Sequence, residues 1–293
     1  MTEHPQGWAL WVAGARPKTL PAAVVPVFVG TAAVADEEFV IWRFVAAMIV
    51  ALALQIATNY ANDYSDGIRG TDANRVGPLR LVGSGLASPT AVKRAIVLSF
   101  AVAGLAGLLL ALAVSPWLLL VGVASMAAGW FYTGGSNPYG YLGLGEVFVF
   151  VFFGVVATVG SAFVQIESID GLASVLSIPV GLFATALLVV NNLRDRQGDA
   201  TAGKRTLAVR IGDRATRLLY AAMVIGAFVI IAVTAIAADR AFLLLAVIAI
   251  GVAVPALGLV LRGAEGTSLI AALESTGRTQ LVAGLLLSLG LLL

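Results

Sequence analysis

The chain has 293 residues, 60% of them hydrophobic and 12% charged, with 18 basic and 16 acidic side chains, a net charge of +2, one histidine and no cysteine. Ordinary soluble domains carry roughly 25% charged residues, so a soluble globule is excluded, and a charge this near balance argues against a nucleic-acid partner. Without cysteine there is no disulfide, thiolate nucleophile or thiolate metal site, so any metal must be held by oxygen or by His4, which lies in a polar leader and is expected to have no catalytic role.

Apolar runs of about 17 to 25 residues mark membrane spans. In chain order they lie near 20–35, 40–62, 95–113, 116–132, 143–165, 172–192, 216–237, 241–261 and 278–293. The third and fourth are separated only by Ser115-Pro116, and the ninth is barely long enough, so eight or nine spans fit the pattern. The expected fold is all-α, a polytopic transmembrane bundle of about nine helices forming one domain over 1–293. The polar start from Met1 to Gly7 leads into the first apolar stretch without a small-residue cleavage site, so no cleavable signal peptide is expected.

Basic residues test this layout, because cytoplasmic loops collect Lys and Arg. With the amino terminus inside, successive cytoplasmic segments hold two, five, none, seven and two of them, leaving only Arg43 and Arg240 of the 18 on the other side. The expectation is a multi-pass protein of the cytoplasmic (inner) membrane, amino terminus in and carboxyl terminus out. Trp8, Trp42, Trp117 and Trp130 fall near span ends, as interfacial aromatics do.

Two polar cytoplasmic loops, 63–94 and 193–217, hold the chemistry. One begins Asn59-Tyr60-Ala61-Asn62-Asp63-Tyr64-Ser65-Asp66, the other Asn191-Asn192-Leu193-Arg194-Asp195-Arg196-Gln197-Gly198-Asp199. Four spans separate them, an even number, so both emerge on one face in the same orientation. This pattern implies a degenerate parallel repeat of four helices with a ninth added, and a site between the halves. If the spans continue as helix, Asn59, Asn62, Asp63 and Asp66 share one face, and so do Asn191, Asp195 and Asp199. Facing ladders of carboxylate and amide oxygen suit Mg²⁺, a hard cation that bridges to substrate phosphates, with Mn²⁺ able to substitute. A diphosphate site follows, with Asn62, Arg75, Arg80, Lys204 and Arg205 as candidates to hold the leaving group and active toward the cytoplasmic face. Carboxylates at span ends also cap helices and mark the water boundary, but two matched segments favour function, since polar groups inside spans are costly.

At these residues the chain resembles the membrane aromatic prenyltransferases of quinone biosynthesis (UbiA-type). The carriers are Asn62-Asp63-Tyr64-Ser65-Asp66 and Asp195 to Asp199. Further stretches resemble the branch acting on 1,4-dihydroxy-2-naphthoate in menaquinone synthesis: Arg16-Pro17-Lys18-Thr19-Leu20-Pro21, Arg75 to Arg80, Tyr132-Thr133-Gly134, Gly143 to Glu146, and Asn191 to Thr206. The resemblance implies two Mg²⁺ ions on a polyprenyl diphosphate, ionisation to an allylic cation and capture by an electron-rich ring carbon. Where the wider family often has an aspartate this chain has Gly70, and Asp72 is the candidate replacement. Asp66, Asp195 and Asp199 are joined as catalytic candidates by Lys18 and Tyr132, and Glu146 is either structural or a substrate contact. Arg16 and Lys18 attract an acceptor carboxylate or only set orientation. Phe148, Phe150, Phe152 and Phe153 are expected to face lipid or pack between helices, with the alternative that one of them lines the prenyl pocket and offers its π face to the cation. Membrane lipid is the expected source of the apolar tail. A 4-hydroxybenzoate prenyltransferase and an ion-coupled transporter remain the rival functions.

Overall fold

The computed structural model describes residues 5–37, 39–70 and 79–293. All regular structure among them is helical. A short α1 (Trp8–Ala15) and a 3₁₀ turn (Pro17–Thr19) precede α2 (Pro21–Ala32), α3 (Ile41–Arg69), α4 (Pro89–Ala113) and α5 (Trp117–Phe131). A 3₁₀ turn (Tyr139–Leu142) leads to α6 (Gly145–Ile166), α7 (Gly171–Thr201), α8 (Leu207–Ala237), α9 (Ala241–Leu261) and α10 (Ser268–Leu292). From α2 onward, one helix stands on each apolar run, in the same order. Six of them, α3, α4 and α6 to α9, are long and apolar enough to cross a membrane; α2 and α5 are shorter apolar helices, and α10 carries Glu274 and Arg278 in its first half. The helix Trp8–Ala15 was not foreseen.

The largest departure from the apolar pattern is length. At 1.5 Å per residue α3 spans about 43 Å and α7 about 46 Å, against a hydrocarbon core of about 30 Å. Both helices run past their apolar runs into segments read as loop, ending at Arg69 and Thr201. Gly70, at φ 71°, terminates α3 by turning the chain through the left-handed region, which glycine adopts without Cβ strain. The projecting ends thus carry the acidic motifs on rigid backbone.

Packing follows from small residues. Gly154 of α6 meets Gly181 of α7 so closely that a Cβ on Gly154 would lie 2.5 Å from the Gly181 Cα. Here α6 is π-helical over Phe150–Val156. At the opposite end from the motifs, Arg43 donates to the carbonyls of Val164 (3.1 Å) and Gln165 (3.0 Å), tying the start of α3 to the end of α6. Helix α7 is the hub: its apolar window is 72% buried against 28% for α3, α4 and α6. Gly212, at φ 80°, breaks α8 into a short leading turn and a long span.

The start of α4 and the end of α7 lie at one end of the bundle, and the α8–α9 turn at the other. In a chain without native thiols, cysteines placed at exposed Thr90 and Ala202 are therefore labelled from the same side of a sealed vesicle and one at Ala238 from the other. Labelling of Thr90→Cys and Ala202→Cys from opposite sides would contradict this topology.

Candidate active site

A cavity of about 240 Å³ lies between α3 and α7, with walls from α2, α5 and α6. On α3 its lining runs from Ala51 to Asp66, about 22 Å of helix at 1.5 Å per residue. One end is polar and joins the two motifs; the other is apolar.

At the polar end Asp66, 3% exposed, is the junction. Its Oδ1 accepts from the Tyr141 hydroxyl at 2.6 Å and from the Lys204 ammonium at 2.8 Å, and Arg80 reaches Oδ2 at 3.8 Å. Lys204 and Arg69 stand over the Tyr141 ring at 4.9 and 5.4 Å. Burial, with the Asp66 carboxylate beside it, pushes the Tyr141 phenol above its ordinary range, so it remains a proton donor at physiological pH. Arg69 also holds the Thr133 and Gly135 carbonyls, fixing the α5–α6 connection over the end of α3. Asn62 Oδ1 accepts from the Thr133 hydroxyl at 2.8 Å.

On α7, Arg194 forks both oxygens of Asp195 at 2.8 Å through Nε and Nη2, and its Nη2 also donates to Asn191 at 2.8 Å. Asp199, half-exposed, lines the cavity one turn on. Its carbonyl accepts the Lys204 amide at 2.8 Å, and this bond aims the lysine back toward α3. Next to the cavity, Asn192 donates to the buried Glu146 at 3.0 Å.

The expected site residues sort clearly. Asn59, Asn62, Asp66, Arg80, Tyr132, Asn191, Asp195, Asp199 and Lys204 line the one cavity. Asp63 does not: fully buried, its two oxygens accept the backbone amides of Leu81 (2.7 Å) and Val82 (2.9 Å). That placement suits an anchor for the α3–α4 connection, and it corrects the expected place of Asp63 on the ligand face. Lys18 is exposed and paired with Glu274 outside the cavity, because its 3₁₀ turn packs on α10. Arg205 points to solvent and contributes its backbone amide to the Tyr141 carbonyl at 3.0 Å. Asp72 and Arg75 lie outside the described residues. Phe148, Phe152 and Phe153, expected first to face lipid or pack between helices, form the cavity's apolar wall, the alternative placement, on and beside the π-helical stretch of α6. Tyr141, Arg69 and Arg194 were missed. Tyr141 and Asp66 are 75 positions apart, so no spacing could pair them.

Among the described residues, no three carboxylates or histidines stand together as a self-sufficient metal cluster. The donors are carboxylate and amide oxygens around one space, a set that fits a hard cation completing its shell with substrate oxygens.

The UbiA prenyltransferase family's sequence profile matches residues 23–272. The chain belongs to the UbiA prenyltransferase family. It is 48% identical over 276 residues to a 1,4-dihydroxy-2-naphthoate octaprenyltransferase of Mycobacterium tuberculosis, covering 94% of each chain. To the protein of that name from Bacillus subtilis it is 33% identical over 291 residues, covering 98% of this chain and 93% of the relative. A solved structure of a UbiA homolog from Archaeoglobus fulgidus bound to GPP and Mg²⁺ shares the fold, with TM-score 0.61 and 13% identity over 95% of this chain and 99% of that one.

If Asp63 anchors this UbiA-family chain's α3–α4 connection, Asp63→Ala strips two buried amides of their acceptor, at about 2–5 kcal/mol. The thermal midpoint of the purified protein should fall sharply, while Asp199→Asn moves it little. An unchanged midpoint in Asp63→Ala would return Asp63 to the candidate ligands.

Proposed function

We propose that the protein transfers a polyprenyl group from polyprenyl diphosphate to 1,4-dihydroxy-2-naphthoate, releasing diphosphate and CO₂ and giving demethylmenaquinol. The observation that carries this reading is one cavity whose polar end joins the carboxylate faces of α3 and α7 and whose opposite end is walled by phenylalanine. The names of the relatives that match 94% of the chain supply the acceptor.

Asp66, Asp195 and Asp199, with Asn62 and Asn191 within reach of the same space, would hold Mg²⁺, in two ions, with Mn²⁺ as a substitute; Asn59, whose amide nitrogen is spent on the Ala15 carbonyl and the Thr19 hydroxyl, stands outside this set. Bound there, the metal supplies charge neutralisation that makes diphosphate a better leaving group. Lys204 and Arg80 sit where they can hold the departing diphosphate, and the Tyr141 hydroxyl adds a neutral donor. The allylic carbon–oxygen bond breaks with its electron pair going to diphosphate. The ring carbon bearing the carboxylate then gives its pair to the allylic carbon. Loss of CO₂ returns the carbon–carbon pair to the ring and restores the hydroquinone, so no side chain has to remove a ring proton. That suits a cavity with no histidine or cysteine among the described residues of its lining.

Phe148, Phe152 and Phe153 line the apolar end, where they would keep water from the allylic cation. A polyprenyl tail is as apolar as lipid, so it would leave the apolar end of the cavity sideways between helices and lie in the bilayer. The distribution of basic residues supports an amino terminus and active site on the cytoplasmic side.

Asp66→Asn, Asp195→Asn and Asp199→Asn are each expected to lower turnover by about 100-fold or more in folded protein, and a chelator to abolish it until Mg²⁺ or Mn²⁺ is restored. Wild-type turnover in two of the three would remove the metal assignment. The reaction itself is tested with carboxylate-labelled acceptors and one prenyl diphosphate: labelled CO₂ is expected from the naphthoate. Prenylated 4-hydroxybenzoate with its label retained would move the protein to that acceptor, and failure to release diphosphate with either acid would contradict prenyl transfer.

A further inference from the structure

Of the neighbouring pair Arg16 and Lys18, it is Arg16 that lines the cavity. Its Nε and Nη2 are shielded from solvent and have no hydrogen-bond partner among the described residues. The residue as a whole is half-buried, but these two donors lose their hydration without gaining a hydrogen bond, which is unfavourable unless a ligand supplies acceptors.

The backbone is built around this placement. Arg16 sits at φ 54° and ψ 70°, a left-handed conformation that a non-glycine residue holds only where the surroundings impose it. Its amide donates to Ala13 (3.2 Å), and its carbonyl accepts from the Thr19 amide and hydroxyl, each at 2.9 Å. The Ala15 carbonyl accepts from Asn59 at 2.9 Å, and the Thr19 hydroxyl accepts from Asn59 and Gln55, each at 3.1 Å. Helix α3 therefore grips the strained turn from both sides of Arg16.

Depth separates Arg16 from the diphosphate end. Its anchor Asn59 precedes Asp66 by seven residues, about 10 Å along α3. The leaving group already has Lys204 and Arg80 at the Asp66 level. An anion at the Arg16 level is the one carried by the acceptor.

Resting on the prenyl transfer proposed above, we infer that Arg16 binds the carboxylate of the aromatic acceptor and thereby sets which ring carbon faces the allylic carbon. Lys18, committed to Glu274 outside the cavity, takes no part. A planar fork matches a carboxylate through two parallel hydrogen bonds, which lysine cannot reproduce. Because the carboxylate leaves as neutral CO₂, the pairing belongs to the bound substrate rather than to the late reaction. Its loss therefore appears in KM for the acceptor more than in kcat.

The test uses the full chain in lipid nanodiscs and three ligands: 1,4-dihydroxy-2-naphthoate, the 1,4-naphthalenediol that lacks the carboxylate, and a non-hydrolysable prenyl diphosphate with Mg²⁺. Arg16→Gln is expected to weaken the naphthoate by about 10- to 100-fold and leave the diol and the diphosphate unchanged; Arg16→Lys falls between. Weakening of the diphosphate alone would make Arg16 a leaving-group contact and overturn the inference. Equal weakening of all three would reduce it to a structural residue, and no change in any would also overturn it. Wild-type protein that binds the diphosphate but not the naphthoate would instead refute the acceptor named in the function.

Discussion

The structure depends on a carboxylate of one half meeting cations and a donor fixed by the other parts of the chain. Asp66 comes at the end of α3; Lys204 follows α7, and Tyr141 sits in the turn before α6. A charge this deeply buried costs several kcal/mol unless it is paired. The ends of α3 and α7 and the α5–α6 connection are therefore held to one arrangement. The cavity exists because these three are tied at its mouth while Gly154 and Gly181 let α6 and α7 close beneath it.

The length of α3 and α7 turns that constraint into a site. Residues beyond the hydrocarbon region sit on helix instead of loop, so their side chains keep the three- and four-residue spacing that stacks oxygen donors on one face. Buried polar groups are costly without partners, and here Asn62, Asp63, Asp66 and Asp195 each hold hydrogen bonds. Asp63 shares the motif with Asp66, yet it turns away from the cavity to the Leu81 and Val82 amides, three residues of helix deciding between anchor and cavity.

Much of this was legible in the sequence because it is periodic. The apolar runs foretold the helices from α2 to α10 in order, and Ser115-Pro116 marks a real break between α4 and α5. The ladder of Asn59, Asn62 and Asp66 facing Asn191, Asp195 and Asp199 was visible from spacing plus the even number of intervening spans. What stayed hidden depends on partners distant in sequence or on backbone outside regular periods. Tyr141 has no local signature. Arg16 and Lys18, two residues apart, look equivalent as letters, and only the left-handed turn and the pairing with Glu274 send one inward and the other to the surface. Which of the phenylalanines of α6 face lipid, pack or line the pocket could not be sorted from a 3.6-residue period, because a π-helical stretch shifts the register there.

That the halves act as one site is most directly measured by binding a Mn²⁺–prenyl diphosphate complex, followed by the spin resonance of the bound ion, to Asp66→Asn, Asp199→Asn and the double variant. If α3 and α7 hold a single metal–diphosphate unit, each single substitution removes tight binding and the double variant is no worse than either. Wild-type binding in one single variant, or losses that add as for independent sites, would contradict it.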